Sequence, residues 1–267
     1  MKQSLLFLSI AVAIHCSAQS LLLPGDAAFD KKRLIGTKYE MAVFAITPKG
    51  NQVGVSDFTV EVIPNSTNFS VYTSLRMYAT NEQWIDTSIS DAITLKPVYR
   101  SSYNPNRSFA LKFGKEVTGF YFDHQGKTKS YVKESVNNLF FDSYVYPYLL
   151  GALPLQSGYR ADMRVYEYTP VNNGHIKNSR IEEVKSSMYK SDISGEHKVW
   201  QVSVFEEATN EQYEYYIDKE TRRIWKIEIL AANNQKFLLI NKEIDFDLVV
   251  KTVFDKDATM KLLKEGR

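Results

Sequence analysis

Apolar and polar residues alternate with a period of two along much of the chain, the pattern of strands with one buried face. In DFTVEVI (57–63), Phe58, Val60 and Val62 face one way, and Thr59 and Glu61 the other. SFALKF (108–113) alternates Phe109, Leu111 and Phe113 with smaller or charged residues. VWQVSVF (199–205) puts Trp200, Val202 and Val204 on one face. RRIWKIEIL (222–230) does the same with Trp225, Ile227 and Ile229, while Lys226 and Glu228 point to water. Turn-forming clusters separate these runs: TPKGN (47–51), PNSTN (64–68), DHQGK (123–127), VNNGH (171–175), DISGE (192–196), DKETR (218–222) and AANNQ (231–235). Gly, Asn, Asp and Pro at those places reverse the chain. Strands divided by short turns, without crossover helices between them, predict a mainly β fold built as an antiparallel meander.

One segment breaks the alternation. LFFDSYVYPYLLGALPL (139–155) is apolar on nearly every side when wound as a helix, with Phe141, Val145, Tyr148 and Ala152 on one face. Asn137 and Asn138 are candidate N-caps, and Asp142 would sit in the first turn, where negative charge suits the helix dipole. Pro147 interrupts the helix with a kink or a restart, and Gly151 and Pro154 end it. Even unbroken it would reach only about 25 Å, short of a bilayer core. It is expected to lie as a short or broken helix across a concave sheet, as a core plug or as the wall of a cavity.

The N-terminus changes the compartment. Lys2 is the only charge before Asp26, Leu5 to Ile14 is an apolar run, and Cys16-Ser17-Ala18 presents small residues before Gln19. This is the pattern of a secretory signal peptide cleaved after Ala18. A lipoprotein signal anchored through Cys16 would need a small residue before the cysteine, and His15 is not one. The expected organisation is a signal peptide at 1–18, a leader at 19–33, one antiparallel β domain at 34–253 and a tail or short helix at 254–267. Export to the periplasm or outer envelope follows. Cys16 is the only cysteine, so the exported chain would have no thiol and must rely on its core rather than on disulfides.

Composition reinforces the strand reading, with 17 Tyr and 15 Phe. Lys and Arg total 33 against 31 Asp and Glu, spread along the chain, so the basic footprint of a nucleic-acid binder is missing.

Candidate chemistry is sparse. His124, His175 and His197 fall in predicted turns, with no helical pair spacing and no HExxH. The chain has no GxSxG elbow, GxGxxG or P-loop. Asp86-Thr87-Ser88 is similar to the Asp-Thr-Gly loop of aspartic proteases, but Ser88 replaces the Gly and no second loop supplies the partner carboxylate. Asp86 and Asp91 then read as solvated residues at a strand end. Asp245 and Asp247 share a strand face but fall short of the six or more oxygens that calcium takes. Asn65, Asn68 and Asn106 begin glycosylation sequons, which matter only in a eukaryotic host. No cofactor and no metal is expected.

Three stretches in order carry a resemblance: IDTSISDAITLKPVYRSSYN (85–104), NNLFFDSYVYPYLLGALPLQSGY (137–159) and EYYIDKETRRIWKIEI (214–229). The carrying positions are Thr94-Leu95-Lys96-Pro97, then Leu153-Pro154-Leu155 with Gly158, then Tyr216-Ile217-Asp218 with Thr221 and Ile224. The chain thereby resembles a DUF3108-like family of secreted Gram-negative envelope proteins of unknown function. That family's shape is similar to the LolA/LolB lipoprotein carriers, which implies a half-open, strongly curved barrel with a short apolar helix on the concave side. The resemblance transfers no catalytic residue. The expected function is a non-enzymatic envelope protein holding an apolar or lipid-like ligand, its cavity lined by Phe140, Phe141, Tyr144, Val145, Tyr148 and Leu149. A structural or protein-interaction module with a filled core is the alternative, and a hydrolase using Asp86 is the third reading.

Overall fold

The computed structural model describes residues 20–170 and 174–244. The signal-peptide and lipidation expectations at residues 1–18, the carboxylates Asp245 and Asp247, and the C-terminal tail lie outside the described residues, as do residues 171–173 of one expected turn.

The first half contains β1 (Ser20–Leu22), β2 (Thr37–Ile46), β3 (Gln52–Pro64), β4 (Asn68–Met77), β5 (Gln83–Asp91), β6 (Pro97–Asn104), β7 (Arg107–Phe113), β8 (Glu116–Asp123) and β9 (Thr128–Ser135). Next come the two-residue strand β10 (Phe141–Asp142) and the one α-helix among the described residues, α1 (Tyr146–Leu149), which runs into a 3-10 turn at Leu150–Ala152. The second half contains β11 (Ala161–Tyr166), β12 (Ile176–Ser191), β13 (Gly195–Glu206), β14 (Glu211–Asp218), β15 (Ile224–Leu230) and β16 (Lys236–Asn241). No helix among the described residues is long and apolar enough to cross a membrane.

These strands form one large mixed sheet that does not close on itself. Two antiparallel meanders, β2 to β9 and β11 to β16, join where β16 pairs with β2, from Lys236 opposite Ile46 to Asn241 opposite Met41. The exceptions to antiparallel pairing are β1 and β10. Both run parallel to β11, at Ala161–Met163 and Val165–Tyr166, so they lie end to end along its edge.

The main core gathers Met41, Val60 and Val71 from β2 to β4, and Val184, Val202 and Ile217 from β12 to β14, around Leu149 and Leu150. Both leucines are fully buried, and each such side chain contributes roughly 1.5–3 kcal/mol. A second cluster puts Phe109, Leu111 and Val117 of β7 and β8 against Phe140, Tyr166 and Tyr168. The Tyr166 hydroxyl also donates to Glu134 of β9 at 2.8 Å. β11 and β7 to β9 stand far apart in the strand order, yet they meet through side chains.

The turn chemistry is local. Asp91 accepts from the backbone N–H of Ile93 and Thr94, and Leu95 follows in the left-handed region at φ 62°. Asp218 accepts from Glu220 and Thr221, and Arg222 follows at φ 62°. The Thr94-Leu95-Lys96-Pro97 and Asp218…Thr221 motifs are therefore two copies of one hairpin turn. An acidic side chain satisfies the turn N–H groups, and the fifth residue takes a backbone conformation that normally favours Gly.

Two local readings of the sequence differ from the structure. Residues 139–155 do not wind as one helix: Phe141 and Asp142 are extended in β10, and helix starts only at Tyr146. Pro147 sits in the first turn, where a missing N–H leaves no bond unmade. Val145 holds the N-cap position, so Asn137 and Asn138 cap nothing, and Asp142 is a strand residue. The other difference is Trp225. The β14–β15 register slips between Tyr216 and Ile217, so Ile224 joins Ile227 and Ile229 in the main core. Trp225 instead stacks on His197 at 4.1 Å and on Tyr189 at 5.9 Å. One extra residue in a strand breaks the period-2 count.

Gly119 of β8 lies opposite Leu111, and a Cβ there would stand 1.9 Å from the Ala110 carbonyl oxygen. Gly119→Ala is expected to lower stability by at least about 1–3 kcal/mol, because backbone must move to admit the methyl group. Urea and thermal melts of the two proteins check this; an unchanged midpoint would refute it.

Candidate functional site

Strands β5 and β6 bury their polar residues. Asp86, Ser88 and Ser90 of β5, and Arg100, Ser102 and Asn104 of β6, are buried, while Ile85, Val98 and Tyr103 are exposed. This inverted face meets β10. Arg100 Nη1 lies 3.2 Å from Asp142 Oδ1 and 3.1 Å from Glu167 Oε2, and donates to Ser143 Oγ at 2.8 Å. Ser88 donates to the other Asp142 oxygen. The Tyr144 ring covers the guanidinium at 4.3 Å, and Phe109 lies at 5.2 Å.

Burial disfavours the Arg100 charge, but the Glu167 and Asp142 carboxylates more than offset it, so its pKa is raised and it stays protonated. Burial pushes the Asp142 carboxyl up, against the opposing effects of Arg100 and Ser88. Asp86 is also raised by burial, partly countered by Ser102, Arg100 and Arg107, and its Oδ1 has no hydrogen-bond partner. The cluster joins β5 and β6 to the β10–β11 edge and so fixes where the following segment, Ser143 to Ala152, begins.

That segment carries α1, whose Pro147 and Tyr148 line two cavities. The larger measures about 690 Å³ and the smaller about 350 Å³, and both are bounded by Pro147, Tyr148 and Ile224. The larger has apolar walls from Leu34, Tyr39, Val62 and Phe69, and a charged rim that includes Arg33, Lys198, Arg222 and Arg223. His197 also lines it. The smaller has Phe58, Ile227, Ile229 and Leu239 as apolar walls, four tyrosines (Tyr144, Tyr148, Tyr213 and Tyr215), and the carboxylates Glu167, Glu206 and Glu211. Glu206 and Glu211 face each other across β13 and β14. Burial pushes Glu206 up to about 7, with Glu211 adding to the rise and a Thr209 hydrogen bond opposing it. Tyr146 donates its hydroxyl to Glu206.

The six residues expected to line a cavity divide by position. Tyr144 and Tyr148 line the smaller cavity, and Tyr148 the larger as well. Phe141, Val145 and Leu149 are fully buried in the main core, and Phe140 belongs to the second cluster. Asp86 is buried, not solvated, and Asp91 is committed to its turn. The histidines are partnered. His124 bonds to the Pro105 carbonyl and Ser108, His175 to Glu134 and Thr169, and His197 to Ser194. No group of three or more His, Cys, Asp or Glu among the described residues is placed to hold a metal. Sequence reasoning missed Arg100, Glu167, Glu206 and Arg222. For Arg100 a signal existed in the alternation of Arg100, Ser102 and Asn104, but a period of two does not say which face turns inward.

A family model described as "Protein of unknown function (DUF3108)" matches residues 38–253. The chain belongs to the DUF3108 family. No curated protein matches it. Within this DUF3108 protein the matched span runs from β2 to beyond β16 and contains all of the ion cluster and the smaller cavity.

Two predictions follow from these charges. Arg100→Met leaves Asp142 buried without its cation and is expected to destabilise the fold by about 3–5 kcal/mol. Arg100→Met with Asp142→Leu is expected to recover part of that loss in equilibrium unfolding; a double variant no better than the single one would refute the pairing. For Glu206, the folded state holds the proton more tightly than the unfolded chain does. Its ionisation penalty is absent below the ordinary value of 4.5, grows as pH rises, and is complete above about 7. Glu206→Gln should therefore stabilise the protein at pH 8 by up to about 3 kcal/mol and change it little at pH 4.5, as read by melts across that range.

Proposed function

We propose that this DUF3108 protein is a non-enzymatic, exported cell-envelope protein that shelters an apolar or lipid-like ligand between a strongly curved, half-open sheet and the short helix α1. The observation that carries this reading is the pair of cavities, about 690 and 350 Å³, on either side of Pro147 and Tyr148. Both volumes fall in the range of small-molecule sites, which are concave and mainly apolar with a few polar groups. The curvature is supported by the side-chain meeting of β11 with β7 to β9, and by the ion pairs from β6 to β10. Export is supported by the signal-peptide pattern at residues 1–18. A shape similar to the LolA/LolB carriers is an analogy of fold and carries no activity with it. Asp86, the residue of the hydrolase reading, lines neither cavity.

One observation favours a second reading, a protein-interaction module. The outward side of β4 to β6 exposes Tyr72, Ile85 and Tyr103, with Ile85 directly opposite Tyr103. Exposed apolar groups gathered on one sheet face are a feature of docking surfaces.

The two readings separate in one experiment. Protein purified from a membrane-containing host is expected to carry lipid adducts in native mass spectrometry, and to lose them on delipidation and regain them with added lipid. Protein that is empty throughout, and still captures an envelope protein through the β4–β6 face, would overturn the ligand reading in favour of the second.

A further inference from the structure

Arg222 is a partly buried cation that makes no ion pair among the described residues. It lines the larger cavity, and its Nε and Nη1 are buried with no hydrogen-bond partner. A guanidinium in that state is costly, since each buried N–H without an acceptor keeps its full desolvation penalty. None of the carboxylates that line the cavity with it pairs with it. Asp218 is used by the backbone N–H of Glu220 and Thr221 and by the Trp225 indole N–H. Glu196 and Glu220 line the same cavity, but neither pairs with Arg222.

The arginine is also held in position. It occupies the left-handed place in the Asp218 turn at φ 62°, a conformation in which a side chain is disfavoured. Its stem packs against the 3-10 turn after α1, where a Cβ on Gly151 would stand 3.2 Å from Arg222 Cβ. Around it, Lys198, Arg223 and Arg33 line the same cavity, with Arg33 engaged by Asp30 at 3.1 Å. The opposite walls are apolar: Tyr39, Val62, Phe69 and Tyr148.

We infer that the larger cavity takes an anionic amphiphile, with a carboxylate or phosphate head against Arg222 and an acyl chain along the Tyr39–Phe69–Tyr148 wall. This deepens the ligand reading above and rests on it. Nη2 is the guanidinium nitrogen that is not enclosed, and its hydrogen bond to either oxyanion would be charge-assisted.

The test uses the purified protein, the neutral apolar dye N-phenyl-1-naphthylamine, and three competitors: dodecyl phosphate, dodecanol and inorganic phosphate. Dodecyl phosphate is expected to displace the dye at roughly ten- to hundredfold lower concentration than dodecanol, the range of one or two charge-assisted hydrogen bonds. Arg222→Gly removes the guanidinium and relieves the positive φ, so it should fold at least as well, which a thermal melt checks. In that variant the advantage of dodecyl phosphate over dodecanol should fall about tenfold, with dye and dodecanol binding unchanged. Equal affinity for dodecyl phosphate and dodecanol, or an advantage that survives in Arg222→Gly, would overturn the anion site and leave the apolar-ligand reading standing. Inorganic phosphate binding as tightly as dodecyl phosphate would make this a site for a free oxyanion and overturn the amphiphile. Binding of none of the probes would overturn both readings.

Discussion

The buried Arg100–Asp142–Glu167 cluster is the constraint on which the rest depends. Asp142 is completely buried and Arg100 is 1% exposed, so neither charge can be satisfied by bulk water. Each is tolerable only while the other is within reach. That requirement holds β6, near one end of the strand order, against β10, at the edge of β11 near the other end. Hydrophobic contact between Phe109, Phe140, Tyr166 and Tyr168 reinforces the same meeting but is not directional. The ion pairs, Ser88 and the Tyr144 ring fix the geometry. A fold that relied on apolar burial alone could slide at this seam. The charged seam has one register, and α1 starts four residues beyond it.

Much of the sheet was legible because it rests on local rules. The hairpin turns at 47–51, 64–68, 192–196, 218–222 and 231–235 all connect successive strands, since Asp, Asn and Gly there act on their own backbone. What escaped were features decided at a distance. Alternation in β5 and β6 is plain, yet the buried face is the polar one, because Arg100 and Ser88 find Asp142 more than forty residues away in sequence. The same long-range partner explains Asp142. Read locally it suits the first turn of a helix; in the structure it is in β10, and Pro147 marks the first turn of α1 instead of a kink within a longer helix. Trp225 was misplaced for a smaller reason, a single slipped residue in the β14–β15 pairing. At the site, Tyr144 and Tyr148 were found because they interrupt the strand pattern. Glu206 and Arg222 were not, because each lies in an ordinary hairpin and becomes unusual only when α1 covers it.

The two Asp-x-x-Thr turns show how one local device serves opposite ends. In both, an aspartate fixes the turn and the next-but-three residue takes a left-handed backbone. At the first, that residue is Leu95, 1% exposed and part of the main core, so apolar burial repays the backbone strain. At the second it is Arg222, whose buried donors have nothing to bond. There the stem packs against the 3-10 turn at Gly151 instead of joining the core. This contrast separates a turn that completes the core from one that places an arginine at the wall of a cavity.

The two cavities differ in electrostatic character while sharing a wall. The rim of the larger carries four cationic side chains, Arg33, Lys198, Arg222 and Arg223, besides three carboxylates. The smaller has three carboxylates and no lysine or arginine. Of those three, Glu167 is neutralised by Arg100, whereas Glu206 and Glu211 stand opposite each other on paired strands without a cation. On the inference above the anionic head lies on the larger side of Tyr148, at Arg222, and the smaller side, with carboxylates and no cation, suits an uncharged chain among Phe58, Ile227 and Leu239. Protonation of Glu206 near neutral pH eases that repulsion, so the smaller cavity becomes more hospitable to apolar groups as pH falls. The polarity of a bound amphiphile, head toward Arg222 and tail past Tyr148, would then follow from where Arg222 and the Glu206–Glu211 pair stand.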